Sequence, residues 1–364
     1  MKIAILTIHD FNNYGNRLQN YATHTILVRM GISAETLVIE DVKTIKRILS
    51  SIIRKVCYMI FPQLYVKWNP ISAKWTRFEL FTKKYIPENI VYSKNRDVSN
   101  SVINKYDYFL VGSDQVWNPT FSNVQIGNFL LEFANSSRRI SFAASFGMDY
   151  LSDEWFSQYA SELLKFKAIS VRENRGAEII KELIGKDVSV LIDPTLLLSA
   201  NDWRKIAKPV RIKSNKPYIL TCFLGEKSKL YTEIIEKIAV EYSLDIKNLC
   251  DKNDLELFQA GPAEYLYLLD HAAFICSDSF HTAVFSVLFD KPFLILNRIE
   301  HNEICPMNSR IETFLNKVNL KQKLQVDINN SMLFDCDYHS AHEILECERI
   351  KAMHFLENAL FESN

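Results

Sequence analysis

Ser277-Asp278-Ser279-Phe280-His281 places two hydroxyls, a carboxylate and an imidazole within five residues, directly after the apolar Phe274-Ile275-Cys276. Histidine, with an unperturbed pKa of about 6.5, gives and takes protons near neutrality. Small polar residues between a strand and a helix also leave the helix N-terminus open to an anion. His281 is the candidate catalytic residue, expected to stand exposed at the strand end, with Ser279 and Asp278 as candidate binding residues. A plainer role stays open: Ser277 or Ser279 caps the helix, Asp278 supports the cap, and His281 is a first-turn polar residue.

Three further sets share this strand-end position. Gly112-Ser113-Asp114 follows the apolar Tyr108-Phe109-Leu110-Val111, and a glycine there can let a ligand approach the backbone; an ordinary turn with a helix cap fits equally. Asn13-Tyr14-Gly15-Asn16-Arg17 follows the first apolar run and offers Asn13, Gly15 and Asn16. Its single glycine matches neither a dinucleotide fingerprint nor a Walker loop, so no nucleotide cofactor is indicated. Arg172 ends the run Ile169-Ser170-Val171, where its guanidinium can fork onto a phosphate or carboxylate, or pair with Glu173 or another acid. Arg310 opens a helix, an unfavourable place for a cation that an anionic ligand would offset. Cys336, His339, His342 and Cys347 match no structural zinc spacing and are expected on an ordinary helix, with no metal.

These residues need a scaffold of strands and helices. Short apolar runs at residues 3–8, 36–39, 106–111, 140–146, 168–171 and 188–192 alternate with helical patterns, and a second series opens at 218–223 and continues at 273–276 and 292–296. That alternation predicts an α/β chain with parallel strands covered by helices. At 364 residues, with 48% apolar content, the chain is long enough for two cores. The boundary is expected in the polar stretch 201–217, giving an N-terminal Rossmann-like domain 1–200, a C-terminal Rossmann-like domain 201–340, and a helix 341–364 packing back on the first. The two domains are expected to face a cleft, with ligands at the carboxyl ends of strands.

Lys plus Arg and Asp plus Glu both number 43, so no nucleic-acid footprint is expected. The seven cysteines form no C-x-x-C pair and read as reduced, buried thiols. The first apolar run is too short for a signal segment or a membrane span and reads as the first strand of a cytoplasmic protein.

Taken together, VGSDQVWNP (111–119), ISVRE (169–173), IDPT (192–195) and SDSFHTAVF (277–285), in this order and reaching to the segment 308–312, resemble the polysaccharide pyruvyl transferase family. The resemblance implies a fold similar to two-domain (GT-B type) glycosyltransferases and phosphoenolpyruvate as donor. It also implies a sugar hydroxyl pair of an envelope or capsular glycan, free or lipid-linked, as acceptor, and no cofactor. It makes His281 the catalytic histidine, Arg172 the donor-binding arginine and Arg310 a further anion-binding residue. Thr282 stands where the family commonly has glycine. The alternatives are a nucleotide-sugar glycosyltransferase of the same fold and a non-catalytic glycan-binding protein.

Residues 43–84 carry ten basic residues against one acid, Glu79, interleaved with aliphatic and aromatic side chains. The spacing from 45 to 60 predicts a helix with one apolar face. Such a segment suits weak contact with the inner leaflet, or else a core-packing helix with solvated lysines.

Overall fold

The computed structural model describes residues 1–42, 45–121, 125–212, 216–300, 303–304, 309–324, 333–334 and 336–362. Residues 43, 305, 308 and 213–215, which fall within segments and counts given above, lie outside them. The chain divides into two compact units: Met1–Ile48 with Thr82–Leu198 and Glu346–Asn364, and Leu49–Phe81 with Ser199–Leu345.

The first unit is a seven-stranded sheet of β1 (Lys2–Leu6), β2 (Ser33–Glu40), β3 (Glu88–Tyr92), β4 (Tyr108–Val111), β5 (Arg139–Ala144), β6 (Ala168–Val171) and β7 (Ser189–Val190), in the order β3-β2-β1-β4-β5-β6-β7. Every ladder is parallel. The central strands are buried on both faces, which is why they read as continuous apolar runs. The strand order reverses between β1 and β4, so the loops after these two strands flank the switch point where open α/β sheets bind ligands. Helix α1 (Tyr14–Arg29) follows β1; Asn13 caps it by accepting the Asn16 amide at 3.2 Å, and Gly31, at φ +76°, supplies the left-handed residue beyond its end. Trp117 is fully buried against Phe146 and Phe166. The 111–119 motif thus serves the core as well as the strand end. The end of the C-terminal helix (Tyr338–Phe361) belongs to this unit: Phe355 stacks on Phe142, and Arg349 Nε donates to the Leu196 carbonyl at 2.7 Å.

The second unit is a four-stranded parallel sheet of β8 (Tyr218–Cys222), β9 (Asp245–Asn248), β10 (Phe274–Ser277) and β11 (Phe293–Ile295), in the order β11-β10-β8-β9. Its core gathers Ile219, Ile234, Ile235, Phe274 and Leu294.

The units depart from the continuous 1–200 domain expected from sequence. Helix α2 (Ile45–Ile60) begins at the end of a first-unit segment, but residues 49–81, with α3 (Pro62–Trp68) and α4 (Pro70–Tyr85), cluster with the second unit. The reason lies in α4: Arg77 reaches Glu264 at 3.5 Å, and the Lys74 ammonium sits 5.5 Å from the Phe258 ring centre. Four strands have no counterpart in the sequence reading: β3, β9 and the short antiparallel pair Ile299–Glu300 and Glu303–Ile304. The thiols are not uniformly buried either: Cys222 and Cys276 are, whereas Cys250 and Cys347 are exposed.

Candidate functional site

In the first unit, the carboxyl ends of β1, β4, β6 and β7 converge on one buried polar cluster. Asn16 Nδ2 donates to Asp114 Oδ2 at 3.3 Å, a link across the switch point. Ser113 is fully buried: its amide donates to Gln19 Oε1 at 3.0 Å, and its hydroxyl donates to the Ala143 carbonyl at 2.8 Å with Asp193 Oδ2 at 3.2 Å. Arg172, 3% exposed, places Nη1 2.5 Å from Asp193 Oδ2 and Nη2 3.4 Å from Asp114 Oδ1. Burial opposes its charge, but Asp193, Asp114 and Glu173 outweigh that and raise its pKa. Three sequence motifs therefore meet in one ion cluster.

Asn13 is the α1 cap, and Gly15 and Asn16 lie in the first turn, all within this loop. Gly112 does not open the backbone to a ligand as expected. At φ +114°, a side-chain carbon there would sit 2.3 Å from the Phe142 carbonyl oxygen, so glycine is needed for close approach to the chain itself. Two residues of the cluster escaped the sequence reading. Asp193 was noted only as part of a motif. Arg17, fully buried, donates to the Ile8 carbonyl at 2.7 Å and to Glu88 at 3.3 Å; burial lowers its pKa to about 10.

In the second unit the Ser277–His281 motif spans the end of β10 and the start of the helix Phe280–Leu288. Ser277 Oγ donates to the Cys222 carbonyl and accepts the Ser279 amide at 3.1 Å. Asp278, 1% exposed, accepts the amides of Leu224 at 2.7 Å and Gly225 at 2.8 Å, with Arg298 Nε at 3.6 Å. The carboxylate thus holds the loop after β8 rather than capping the helix. Ser279 occupies the cap position without a side-chain cap bond. His281 is the second residue of the helix, set edge-on to Phe280 at 5.1 Å. It is 6% exposed, which corrects the expectation of an exposed imidazole; every residue of this helix is buried.

Arg310, also buried, is the second residue of the helix Ser309–Lys317. One turn on, Phe314 meets Phe280 at 6.0 Å, so the helices that carry Arg310 and His281 pack together within this unit. Elsewhere in the unit, His342 binds Asp290 at 2.6 Å, and no cluster able to hold a metal occurs among the described residues.

Taken separately, the first unit holds a buried guanidinium at Arg172, and the second holds an imidazole at His281 and a guanidinium at Arg310. A family model described as polysaccharide pyruvyl transferase matches residues 13–300. No curated protein matches the sequence. Among solved structures, a protein described as a UDP-N-acetylglucosamine 2-epimerase from Listeria monocytogenes is similar at 8% identity over 100% of this chain and 97% of its own, with a TM-score of 0.55. A UDP complex of S. aureus MnaA is similar at 13% identity over 99% and 96%, with a TM-score of 0.47. A glycosyltransferase from Rickettsia africae is similar at 11% identity over 100% and 99%, with a TM-score of 0.46. At 8% identity the likeness to the Listeria protein is one of fold alone, parallel α/β units like those described above.

Proposed function

We propose, from the premise that the chain belongs to the polysaccharide pyruvyl transferase family, that it moves the pyruvyl group of phosphoenolpyruvate onto two hydroxyls of an envelope or capsular glycan as a ketal and releases phosphate. The observation that carries the reading is His281 in the first turn of a helix after a parallel strand, in the motif that the family match covers.

The chemistry balances as follows. C3 of the donor gains a proton, the first sugar hydroxyl adds to C2, the C2–O bond to phosphate breaks, and the second hydroxyl adds to C2. The two hydroxyls lose two protons, of which one ends on C3 and one leaves with phosphate. His281 is assigned these transfers, a role typically worth about 10² to 10⁴ in rate. Arg310, the helix start and Ser279 bind the anionic groups of the donor. Arg172 serves the donor by exchanging its longer contact, Asp114 at 3.4 Å, for a donor oxygen while Asp193 keeps the guanidinium in place. Asn13, Gly15 and Asp114 form the sugar-facing set, with the wholly buried Asn16 and Ser113 holding that loop pair from behind. No cofactor takes part. The chain works in the cytoplasm, at the inner face of the membrane where a lipid-linked acceptor would be presented.

The test measures phosphate release from phosphoenolpyruvate, and the mass of one pyruvate less one water added to glycan acceptors, beside nucleotide release from sugar nucleotides. Phosphate release with the matching mass gain supports the reading. Nucleotide release alone would transfer the chain to the glycosyltransferases, and neither activity would leave a glycan-binding protein.

A further inference from the structure

An amphipathic surface helix ordinarily turns its apolar stripe to the core and its charges to water. Helix α2 does the reverse. Its polar side faces the protein: Arg54 lies 3.8 Å from Glu79 and 5.6 Å from the Trp75 ring centre, Lys55 lies 2.5 Å from Glu79, and the Tyr58 hydroxyl accepts from Arg77 Nε at 3.2 Å. Its apolar side, Leu49, Ile52, Ile53, Val56, Met59 and Ile60, is between 41% and 70% exposed. Phe61, Leu64 and Trp68 extend the same exposure through α3. The neighbouring α4 is ordinary by contrast, burying Ala73, Phe78 and Phe81.

A contiguous exposed apolar face of this size marks a docking surface. Charge decides between occupants. Ten basic residues against one acid in 43–84 would repel the same segment of a second copy, in a chain whose net charge is zero. An anionic bilayer offers both negative headgroups and hydrocarbon. With 16 residues, α2 is about 24 Å long, short of the roughly 30 Å hydrocarbon core. Among the described residues no helix is long and apolar enough to cross a membrane. We propose that α2 and α3 lie in the plane of an anionic lipid leaflet, with the exposed apolar side among the acyl chains and the exposed Lys67 of α3 at the headgroups. Only the choice of the inner leaflet rests on the functional reading; vesicle binding needs no donor, so the two ideas fail separately.

Co-sedimentation with vesicles of phosphatidylcholine, alone or mixed with phosphatidylglycerol, tests this. The full chain should pellet with the mixed vesicles at low salt, much less with the neutral ones, and be largely released at high salt. Each basic residue near such a surface is worth about fivefold in binding, so K67E, at an exposed position of α3, should weaken it by roughly fivefold or more. I52E/M59E should abolish it while leaving the thermal midpoint unchanged, since both side chains are exposed. A wild type that stays in the supernatant with mixed vesicles at low salt overturns the proposal, as do variants that bind like wild type. A dimer that I52E/M59E dissociates, without vesicle binding, would assign the face to a second copy and equally overturn it.

Discussion

Arg172 Nη1 lies 2.5 Å from Asp193 Oδ2, with both side chains almost wholly buried. The pair joins two motifs 21 residues apart through the β6–β7 ladder. Removing one member of a buried ion pair leaves an uncompensated charge, which typically costs about 3–5 kcal/mol. Asp193→Ala is therefore expected to lower stability by that order, read as a shifted urea midpoint, and Asp193→Ala with Arg172→Met should recover much of the loss. Arg172→Lys keeps the charge but not the planar fork, so donor affinity measured by calorimetry should fall. Unchanged affinity beside reduced stability would make Arg172 a purely structural residue.

His281→Ala is expected to reduce turnover by at least about 10²-fold. Because the side chain is buried, this variant also leaves a void, so His281→Gln is the better comparison. Its thermal midpoint should stay closer to wild type while turnover stays low. Turnover within about tenfold of wild type in a folded His281→Gln protein would remove the residue from the proton-transfer step.

Why some of this was legible in the sequence and some was not follows from burial. β1, β4, β5 and β6 announce themselves because strands covered on both faces must be apolar along their length. β3 and β9 lie at sheet edges, half exposed, with the mixed sequences Glu88–Tyr92 and Asp245–Asn248, so no apolar run marks them. The Ser277–His281 motif was visible as a constellation, but its polar residues suggested exposure. In fact Asp278 is turned to the Leu224 and Gly225 amides, and the helix that follows is buried throughout. The Arg172–Asp193 pairing could not be read at all, because strand adjacency, not spacing, creates it. The helix from 45 to 60 was legible as amphipathic, with its apolar face left open between a membrane surface and the core; its exposure in the fold decides between them.

Asp278→Ala tests positioning. It strands two backbone amides, and a buried donor left unsatisfied costs about 1–3 kcal/mol. Moderate destabilisation with a fall in kcat and little change in the donor KM is the expected split, because both carboxylate oxygens are committed to the Leu224 and Gly225 amides of the loop beside the motif. A raised KM with unchanged kcat would instead place Asp278 on the substrate.

Cys250 provides a pH-dependent readout of the same region. Its thiol is exposed and lies beside Cys222, the last residue of β8, whose carbonyl accepts from Ser277. A hydrogen bond from the Cys222 thiol, opposed by partial burial and helped by the Lys74 charge, brings the Cys250 pKa down to about 6, while the Cys222 thiol moves the other way. The thiolate is the reactive form, so a lowered pKa means alkylation that is already fast at neutral pH and levels off above it. An ordinary thiol, with a pKa of about 8.5, goes on accelerating as pH rises. Iodoacetamide labelling followed by peptide mass spectrometry between pH 5 and pH 9 should therefore show Cys250 reaching its plateau near neutrality. Cys222→Ala should move that plateau to higher pH. A Cys250 rate that climbs steadily to pH 9 in the wild type, or a profile unmoved by Cys222→Ala, would mean that Cys222 does not lower the Cys250 pKa.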